Sequence, residues 1–120
     1  IGRSLVVGKP LSVLMLNADA TVTVCHSKTE NSKEVAKRAD VLVVAIGKAK
    51  AIGSSYCKEG ATVIDVGINV DKDGNLCGDV DYDTMKTVAE RLSPVPGGIG
   101  PITTAVLARH LVRAYQMQTE

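Results

Sequence analysis

A loop rich in glycine and proline, Pro94–Thr103, carries the residue types best suited to close contact with a ligand. Its ten residues include three prolines and three glycines, which excludes the interior of a regular helix or strand. Such a loop either forms a tight turn between elements or brings bare backbone close to a flat ligand. Apolar residues at helical spacing follow, so the loop also leads to a helix N-terminus, where backbone N–H groups favour anions and polar ligand groups.

A second candidate loop, Gly2–Pro10, lies near the start of the sequence. It combines two glycines and two cations, Arg3 and Lys9, with the hydroxyl of Ser4, all directly before a predicted helix. Glycine-rich backbone, a cation and a helix N-terminus together suit a phosphate group. The loop lacks the usual G-x-G-x-x-G pattern, so a loop with merely solvated basic residues is the alternative.

The segment Cys25–Thr29 follows a predicted strand and lies where a dinucleotide-binding fold faces the adenosine ribose. An acid at this place binds the ribose 2′-hydroxyl, whereas basic and hydroxyl groups accept a 2′-phosphate. Residues 21–29 contain no acid, and Arg3, Ser27 and Lys28 could together hold a dianion. The pattern therefore favours NADP over NAD.

Two further segments place glycine at the predicted carboxyl end of a strand, at Gly47 and Gly67. Glycine there lets a ligand approach the edge of the sheet where such folds bind it. Asp65, inside an apolar strand, is either a structural carboxylate or a site group, and we favour the structural role. The segment 71–74 resembles a calcium loop but has no glutamate at its twelfth position, so we predict a tight turn, which a small hairpin would suit.

These loops need a framework, and short β-branched runs alternating with helical patterns supply one. The predicted strands are Ala20–Cys25, Val41–Ile46, Thr62–Val66 and Leu92–Val95. Such alternation predicts an α/β fold, a Rossmann-like doubly wound parallel sheet with helices on both faces. Its first strand is expected to be truncated, since the sequence starts in the first ligand loop.

The predicted helices follow from start signals and apolar spacing. Pro10 suits the first turn of a helix with Leu11, Leu14 and Met15 on one face, and Asn31 with Glu34 resembles a capping box. Further along, we predict a short helical turn at Gly53–Cys57, a helix carrying Met85, Val88, Ala89 and Leu92 with Asp83 as its N-cap, and a last helix whose core face is Leu107, Leu111, Ala114 and Tyr115.

Composition narrows the class further. The chain has 120 residues, 45% of them apolar, which is enough for one domain with one core. A formal net charge of +1 does not indicate binding to a nucleic acid or a membrane surface. No apolar run is long enough to cross a bilayer. The three cysteines have neither zinc nor disulfide spacing, which predicts reduced thiols, an intracellular protein and no metal site.

Taken together, several segments resemble one known family, in its order and nearly end to end. They are Gly2–Ser4, Val7–Leu11, Ala20–Thr23, Cys25–Thr29, Val63–Asn69, Gly78–Asp81 and Pro94–Pro101 with Thr103. They look like the C-terminal NAD(P)-binding domain of the bifunctional methylenetetrahydrofolate dehydrogenase/methenyltetrahydrofolate cyclohydrolase. The resemblance thus makes residues 1–120 one NAD(P)-binding domain of a larger two-domain enzyme.

The resemblance implies NADP-dependent oxidation of 5,10-methylenetetrahydrofolate to 5,10-methenyltetrahydrofolate, and its hydrolysis to 10-formyltetrahydrofolate. It places the folate site and the catalytic lysine, with a tyrosine four residues before it, in an N-terminal domain. We therefore expect no catalytic residue in this chain and little turnover by the chain alone. Relatives of this kind imply a cytoplasmic homodimer. The alternatives are a dinucleotide-sensing module without enzymatic activity and the cofactor domain of another small-molecule dehydrogenase.

The same resemblance implies roles for individual residues. The implied cofactor contacts are Gly2, Arg3 and Ser4 at the phosphates, His26 and Ser27 on the adenosine side, Ala45, Ile46, Gly47 and Ile68 along the adenine and nicotinamide ribose path, and Thr103 at the nicotinamide end. The implied substrate contacts are Pro96, Gly97 and Gly98, which would close on the folate. For His26, a half-buried residue bonded to backbone is the alternative role.

Overall fold

The computed structural model describes residues 1–119. The helices are α1 (Gly8–Asn17), α2 (Ser32–Ala36), α3 (Tyr82–Met85) and α4 (Ile99–Thr119), and a 3-10 turn spans Ser54–Tyr56. The strands are β1 (Val41–Val44), β2 (Thr62–Asp65), β3 (Asn69–Val70), β4 (Leu76–Cys77) and β5 (Arg91–Leu92).

The main sheet is parallel and has the order β1-β2-β5. Val41 pairs with Thr62, and Val63 pairs with Leu92. Three of the predicted strands are therefore present, each shorter than predicted at its carboxyl end. The parallel sheet with its helices confirms the Rossmann-like α/β class.

The core lies around the two long strands of this sheet. Val44 and Val63 are fully buried, as is Met85 at the end of α3. With no Phe or Trp in the chain, aliphatic side chains fill the interior, and they include Leu42, Ile52 and Val80. Ile52 also forms a parallel bridge with Val80, which ties the segment after β1 to the segment before α3.

The prediction of a strand at Ala20–Cys25 is wrong, because a strand needs a neighbour with which to exchange hydrogen bonds. Within residues 1–119, the backbone of this segment is bonded at its two ends, where Ala20 donates to the Met15 carbonyl and Cys25 accepts from Gly2. Ile1 bonds to β1 on the other side, since Ala45 donates to its carbonyl over 2.9 Å. Ile1 and Gly2 thus lie between β1 and Cys25.

The predicted caps of two helices are also wrong, although α2 does begin directly after Asn31. Asn31 has a left-handed backbone conformation and makes no side-chain cap, so the predicted capping box does not form. The cap of α3 is Asp81, whose carboxylate accepts from the Thr84 N–H, rather than Asp83. This helix ends at Met85 instead of continuing to Leu92, because Leu92 pairs with β2 in the sheet.

The predicted turn at Asp73–Gly74 is confirmed as the turn of an antiparallel hairpin formed by β3 and β4. Asp71 organises it, since one of its carboxylate oxygens accepts from the N–H groups of Asp73 and Asn75. The other oxygen accepts from the Lys50 ammonium at 3.0 Å. The hydrogen bond from the Asn75 backbone, followed by the one from Lys50, lowers the pKa of Asp71.

The last helix does not have the predicted core face. Leu107, Leu111 and Tyr115 are 69%, 73% and 67% exposed, and α4 has no buried residue. An apolar stripe at helical spacing shows which face of a helix seeks a partner. It does not show that the same chain provides that partner.

Asp65 has the structural role that we favoured. It is 3% exposed, and its carboxylate accepts hydrogen bonds from the N–H groups of Gly67, Asp79 and Val80 at 2.9–3.1 Å. The carboxylate thus fixes the backbone that precedes α3 to the end of β2. Gly78 lies against the same carboxylate, so close that a Cβ atom there would collide with it.

We predict that Gly78→Ala lowers the free energy of unfolding by about 1–3 kcal/mol or more, the usual cost of overpacking a tight site. Gly100→Ala is the matched control, because a Cβ at Gly100 meets open space, and it should not lower the stability, since alanine has a higher helix propensity than glycine. Urea denaturation of both variants measures the difference. Equal midpoints would contradict the close packing of Gly78 on Asp65.

Candidate functional site

The loops that follow the three parallel strands lie at one edge of the main sheet, because the carboxyl ends of parallel strands meet there. Ala45–Lys48 follows β1, Val66–Ile68 follows β2 and Ser93–Gly98 follows β5. In open α/β sheets, ligands bind outside this edge. All but one of the predicted site residues beyond Ser27 lie in these loops; the exception, Thr103, is in the first turns of α4.

Gly2 brings three predicted site segments together. Its φ of 124° belongs to a region that other residues rarely adopt, and a Cβ atom there would collide with the Ala45 carbonyl. Its N–H donates to the Cys25 carbonyl at 2.8 Å. Gly8, at the start of α1, is packed on the carbonyl of Gly2 with no room for a side chain. The first loop, the end of β1 and the Cys25–Thr29 segment therefore adjoin.

Ser4 shapes the turn that leads into α1. Its Oγ accepts from the Val7 N–H at 3.0 Å and from the Gly8 N–H at 3.4 Å. Arg3 beside it is exposed and forms no salt bridge within the described part of the chain. The first turn of α1 contains no acid, so the positive end of the helix dipole and the guanidinium both favour an anion here.

The segment after Cys25 is a compact turn that exposes Ser27. The His26 N–H donates to Thr29 Oγ1 at 2.9 Å, and the Lys28 N–H donates to His26 Nδ1 at 3.2 Å. His26 is half-buried, and its ring is bonded to backbone, as the alternative role had it. Because Nδ1 accepts, the ring hydrogen of neutral His26 is on Nε2. Ser27 and Lys28, both exposed, are at the tip of the turn.

The loop after β1 is held by a residue that sequence reasoning did not single out, Asp79. Its carboxylate is fully buried. One oxygen, Oδ2, accepts from the N–H groups of Ile46 and Gly47 at 2.6 and 2.9 Å. The other, Oδ1, accepts from the Lys48 N–H at 2.8 Å and from the Asn69 side-chain amide at 2.9 Å. The available signal was an aspartate directly after Gly78, in the Gly78–Asp81 segment that the family resemblance included.

Among the predicted residues of the other strand ends, Ile68 is 70% exposed directly after the buried Gly67. Thr103 is exposed in the second turn of α4, and its hydroxyl donates to the Ile99 carbonyl at 3.1 Å. The oxygen of Thr103 therefore keeps its capacity to accept a hydrogen bond from a ligand.

The Pro94–Gly98 loop is fixed to the sheet at its start. Ser93 donates from its backbone to Val63 and accepts from the Asp65 N–H with its hydroxyl, and the Val95–Pro96 peptide bond is cis. The two adjacent glycines differ. A Cβ atom at Gly98 would collide with the Pro94 carbonyl, whereas at Gly97, with φ of 95°, it would meet open space. Gly98 is thus a packing requirement, and Gly97 borders an open volume.

A groove of about 640 Å³ lies beside this edge, between α1, the extended segment Ala20–Cys25 and β1. Gly2 and Ala45 line one end of it, and Arg38 and Asp40 contribute charges. Most of its lining is aliphatic, which does not suit a phosphate. The positively charged groups that suit an anion are instead the Arg3 guanidinium and the N-terminus of α1.

A Tyr-x-x-x-Lys spacing does occur in the chain, at Tyr82–Lys86, and sequence reasoning overlooked it. Lys86 is exposed and its Nζ lies 2.7 Å from the Asp83 carboxylate. The hydrogen bond that Lys86 donates to this carboxylate raises the pKa of Lys86, which opposes a role as general base. In residues 1–119 no cluster of His, Cys, Asp and Glu could hold a metal ion, and no helix is long and apolar enough to cross a membrane.

A parallel sheet whose loops adjoin at the carboxyl ends of its strands, beside a helix N-terminus and an exposed arginine, defines a Rossmann-like dinucleotide-binding domain. The family model described as tetrahydrofolate dehydrogenase/cyclohydrolase, NAD(P)-binding domain, matches residues 1–119. The chain belongs to this family, and the resemblance seen in the sequence is confirmed.

Relatives support the assignment along nearly the whole chain. The chain is 59% identical to the bifunctional protein FolD of Methanoculleus marisnigri, over 99% of this chain and 42% of that protein. It is 56% identical to the protein of the same name from Clostridioides difficile, over 98% of this chain and 41% of that protein. The chain thus spans less than half the length of these relatives.

Solved structures agree with the sequence comparison. The bifunctional enzyme FolD from Campylobacter jejuni superposes with a TM-score of 0.93 at 40% identity, covering 98% of this chain and 42% of that one. The Trypanosoma brucei methylenetetrahydrofolate dehydrogenase-cyclohydrolase, solved with NADP cofactor and inhibitor, superposes with a TM-score of 0.89 at 35% identity. It covers 99% of this chain and 43% of that one.

We predict that Ser4→Ala lowers the free energy of unfolding by about 0.5–1.5 kcal/mol, the usual net contribution of a hydrogen bond, because Ser4 Oγ accepts from the Val7 N–H in the turn before α1. Ser27→Ala is the control, because Ser27 is also an exposed serine but lies outside this turn. Thermal unfolding followed by circular dichroism measures both variants. Equal losses would contradict the role of Ser4 in the turn.

Proposed function

We propose that this chain is the cofactor half of a longer NADP-dependent methylenetetrahydrofolate dehydrogenase/cyclohydrolase. The observation that carries the proposal is the meeting of the Gly2–Ser4 loop, the Cys25–Thr29 turn and the end of β1 at one edge of a parallel sheet. Membership of the family supports it. Relatives named bifunctional enzymes support both activities.

The residues present suit NADP. An exposed guanidinium at Arg3 lies beside the N-terminus of α1, where the helix dipole favours phosphate oxygens. Residues 21–29 contain no acid that would repel a 2′-phosphate, and Ser27 and Lys28 offer it a hydroxyl and a cation. NAD is the less favoured ligand for the same reason, since nothing at this turn is built to bind a bare 2′-hydroxyl.

We propose the cofactor contacts that the family resemblance implies. Arg3, with the backbone of Gly2 and Ser4, binds phosphate, while His26 and Ser27 bind the adenosine side. The segment Ala45–Gly47 and the exposed Ile68 line the path of the adenine and the nicotinamide ribose, and Thr103 meets the nicotinamide end.

When bound, NADP⁺ would supply the hydride acceptor for the methylene carbon of 5,10-methylenetetrahydrofolate, and water would then open the methenyl product to 10-formyltetrahydrofolate. The task of this chain is to position the two carbons for transfer, and positioning can lower a barrier by several kcal/mol. The Pro96–Gly98 loop closes on the folate from the cofactor side. The general acid/base lysine belongs to the rest of the longer enzyme.

We further propose one NAD(P)-binding domain over residues 1–120, joined in a two-domain polypeptide that forms a cytoplasmic homodimer. The exposed apolar side chains of α4, such as Leu107 and Leu111, support contact with further protein. The free cysteines at Cys25, Cys57 and Cys77 support a reducing compartment. Neither nucleic acid nor membrane is a proposed partner.

We predict that Arg3→Ala weakens NADP binding more than NAD binding, because only NADP carries the 2′-phosphate. Losing one charge-assisted contact should cost about 1.5–3 kcal/mol for NADP. Isothermal titration of the longest natural polypeptide that carries these 120 residues measures both constants.

Arg109→Ala is the control for this titration, because Arg109 is exposed on α4 and should leave both constants unchanged. Equal losses for the two cofactors would reject the 2′-phosphate role of Arg3. Wild-type protein that binds neither cofactor would reject the proposed function itself.

We predict that Gly97→Asn raises KM for the folate and leaves NADP binding near the wild-type value. Asparagine tolerates a positive φ better than most residues, so the variant fills the open volume beside Gly97 with little backbone strain. Steady-state kinetics with each substrate varied in turn measures the effect. Gly100→Asn is the control, since its side chain would also enter open space, on α4 outside the loop. An unchanged KM for the folate in Gly97→Asn would remove the substrate role of this loop.

A further inference from the structure

Asp79 is a buried carboxylate that joins two of the segments proposed to line the cofactor path. Its Oδ2 holds the N–H groups of Ile46 and Gly47. Its Oδ1 holds the N–H of Lys48 and the side-chain amide of Asn69, the residue after Ile68. We propose that Asp79 is a positioning residue for the dinucleotide, which sets the spacing between the Ile46–Lys48 loop and the Ile68 segment. This inference rests on the proposed function.

The hydrogen bonds to Asp79 also decide which groups the loop can offer to a ligand. The N–H groups of Ile46, Gly47 and Lys48 all point to the carboxylate and are used. Within the described residues, the carbonyls of Ile46 and Gly47 accept no hydrogen bond. The loop therefore presents acceptors. Acceptors suit the hydroxyl groups of a ribose or the amino group of adenine, and they do not suit a phosphate.

The position of Asp79 is itself fixed. Its backbone N–H donates to the Asp65 carboxylate at 3.1 Å, and its carbonyl accepts from the Ile52 N–H at 3.0 Å. Gly67 is packed so closely on the Asp79 carboxylate that a side chain there would collide with it. Because these contacts fix the Asp79 carboxylate, the position of the carboxylate determines the position of the loop that bonds to it.

Asp79→Asn tests the inference with an isosteric side chain. In this variant an NH₂ group, which cannot accept a hydrogen bond, replaces one carboxylate oxygen. In either orientation of the amide, the NH₂ group therefore faces N–H donors that bond to an oxygen of Asp79 in the wild-type protein. The loop should shift or become mobile. We expect the Kd for NADP to rise by about 10- to 100-fold, the scale of effect when a contact group is misplaced by about 1 Å. At saturating NADP, the KM for the folate should remain near its wild-type value.

A structural readout separates positioning from general destabilisation. Amide hydrogen exchange should accelerate at Ile46, Gly47 and Lys48 in Asp79→Asn, while the amides of β1 keep their protection. Two controls accompany it in the longest natural polypeptide that carries the chain. Asp81→Asn makes the same chemical change at the cap of α3, and Val63→Ala removes core volume to lower stability. Neither should change the Kd for NADP.

Asn69→Ala keeps the inference testable if Asp79→Asn does not fold. It removes the amide that bonds to Asp79 Oδ1 and leaves the backbone bonds of the loop in place. The Kd for NADP should rise, by less than in Asp79→Asn, without faster exchange at Ile46 and Gly47.

The outcomes are distinct. A wild-type protein that does not bind NADP overturns the proposed function and this inference together. A wild-type protein that binds NADP, with a Kd that neither Asp79→Asn nor Asn69→Ala changes, overturns the inference alone. The inference alone is also overturned if Asp79→Asn weakens NADP binding no more than Val63→Ala does at equal loss of stability. A raised Kd with faster exchange confined to the loop supports it.

Discussion

Two buried carboxylates, Asp65 and Asp79, fix the loops on which the site depends, and they do so through amide hydrogens. A buried carboxylate is costly unless hydrogen bonds compensate the lost water. Here each oxygen of both residues has at least one partner within the described chain, and no lysine or arginine side chain is among them. Hydrogen bonds to a charged acceptor contribute roughly 1.5–3 kcal/mol each. Loops held in this way are therefore ordered by the core beneath them.

One carboxylate holds the residue that carries the other. Asp65 ends β2 and fixes the backbone of Asp79, and Asp79 fixes the loop after β1. The tight packing of Gly78 on Asp65 and of Gly67 on Asp79 excludes side chains at both glycines. The loops at two strand ends thus share one support. That support lies behind the edge, which leaves the outer side of the loops available to a ligand.

The sequence predicted the class of fold and the meeting of the loops well, because both follow from local patterns. Runs such as Val41–Val44 and Thr62–Asp65 are strands on their β-branched content, and glycines mark the loops after them. Predictions that needed a distant partner were wrong. Within residues 1–119, Ala20–Cys25 has strand composition but little with which to pair, and the apolar stripe of α4 has no facing element. Composition shows which element a segment can form, and the neighbouring segments of the fold decide whether that element forms.

The same reasoning explains why Asp79 was missed and why a phosphate contact at Arg3 could be proposed from the sequence. A phosphate contact is a property of residue type and position relative to a helix start, and both can be seen in the printed sequence. The role of Asp79 depends on a fold that brings residue 79 to residues 46–48 and 69, and no periodicity encodes that distance. A buried aspartate beside a glycine that tolerates no Cβ is nevertheless a physical signal. It indicates a carboxylate that must find donors in the backbone, and the loops nearest to it are those that can supply them.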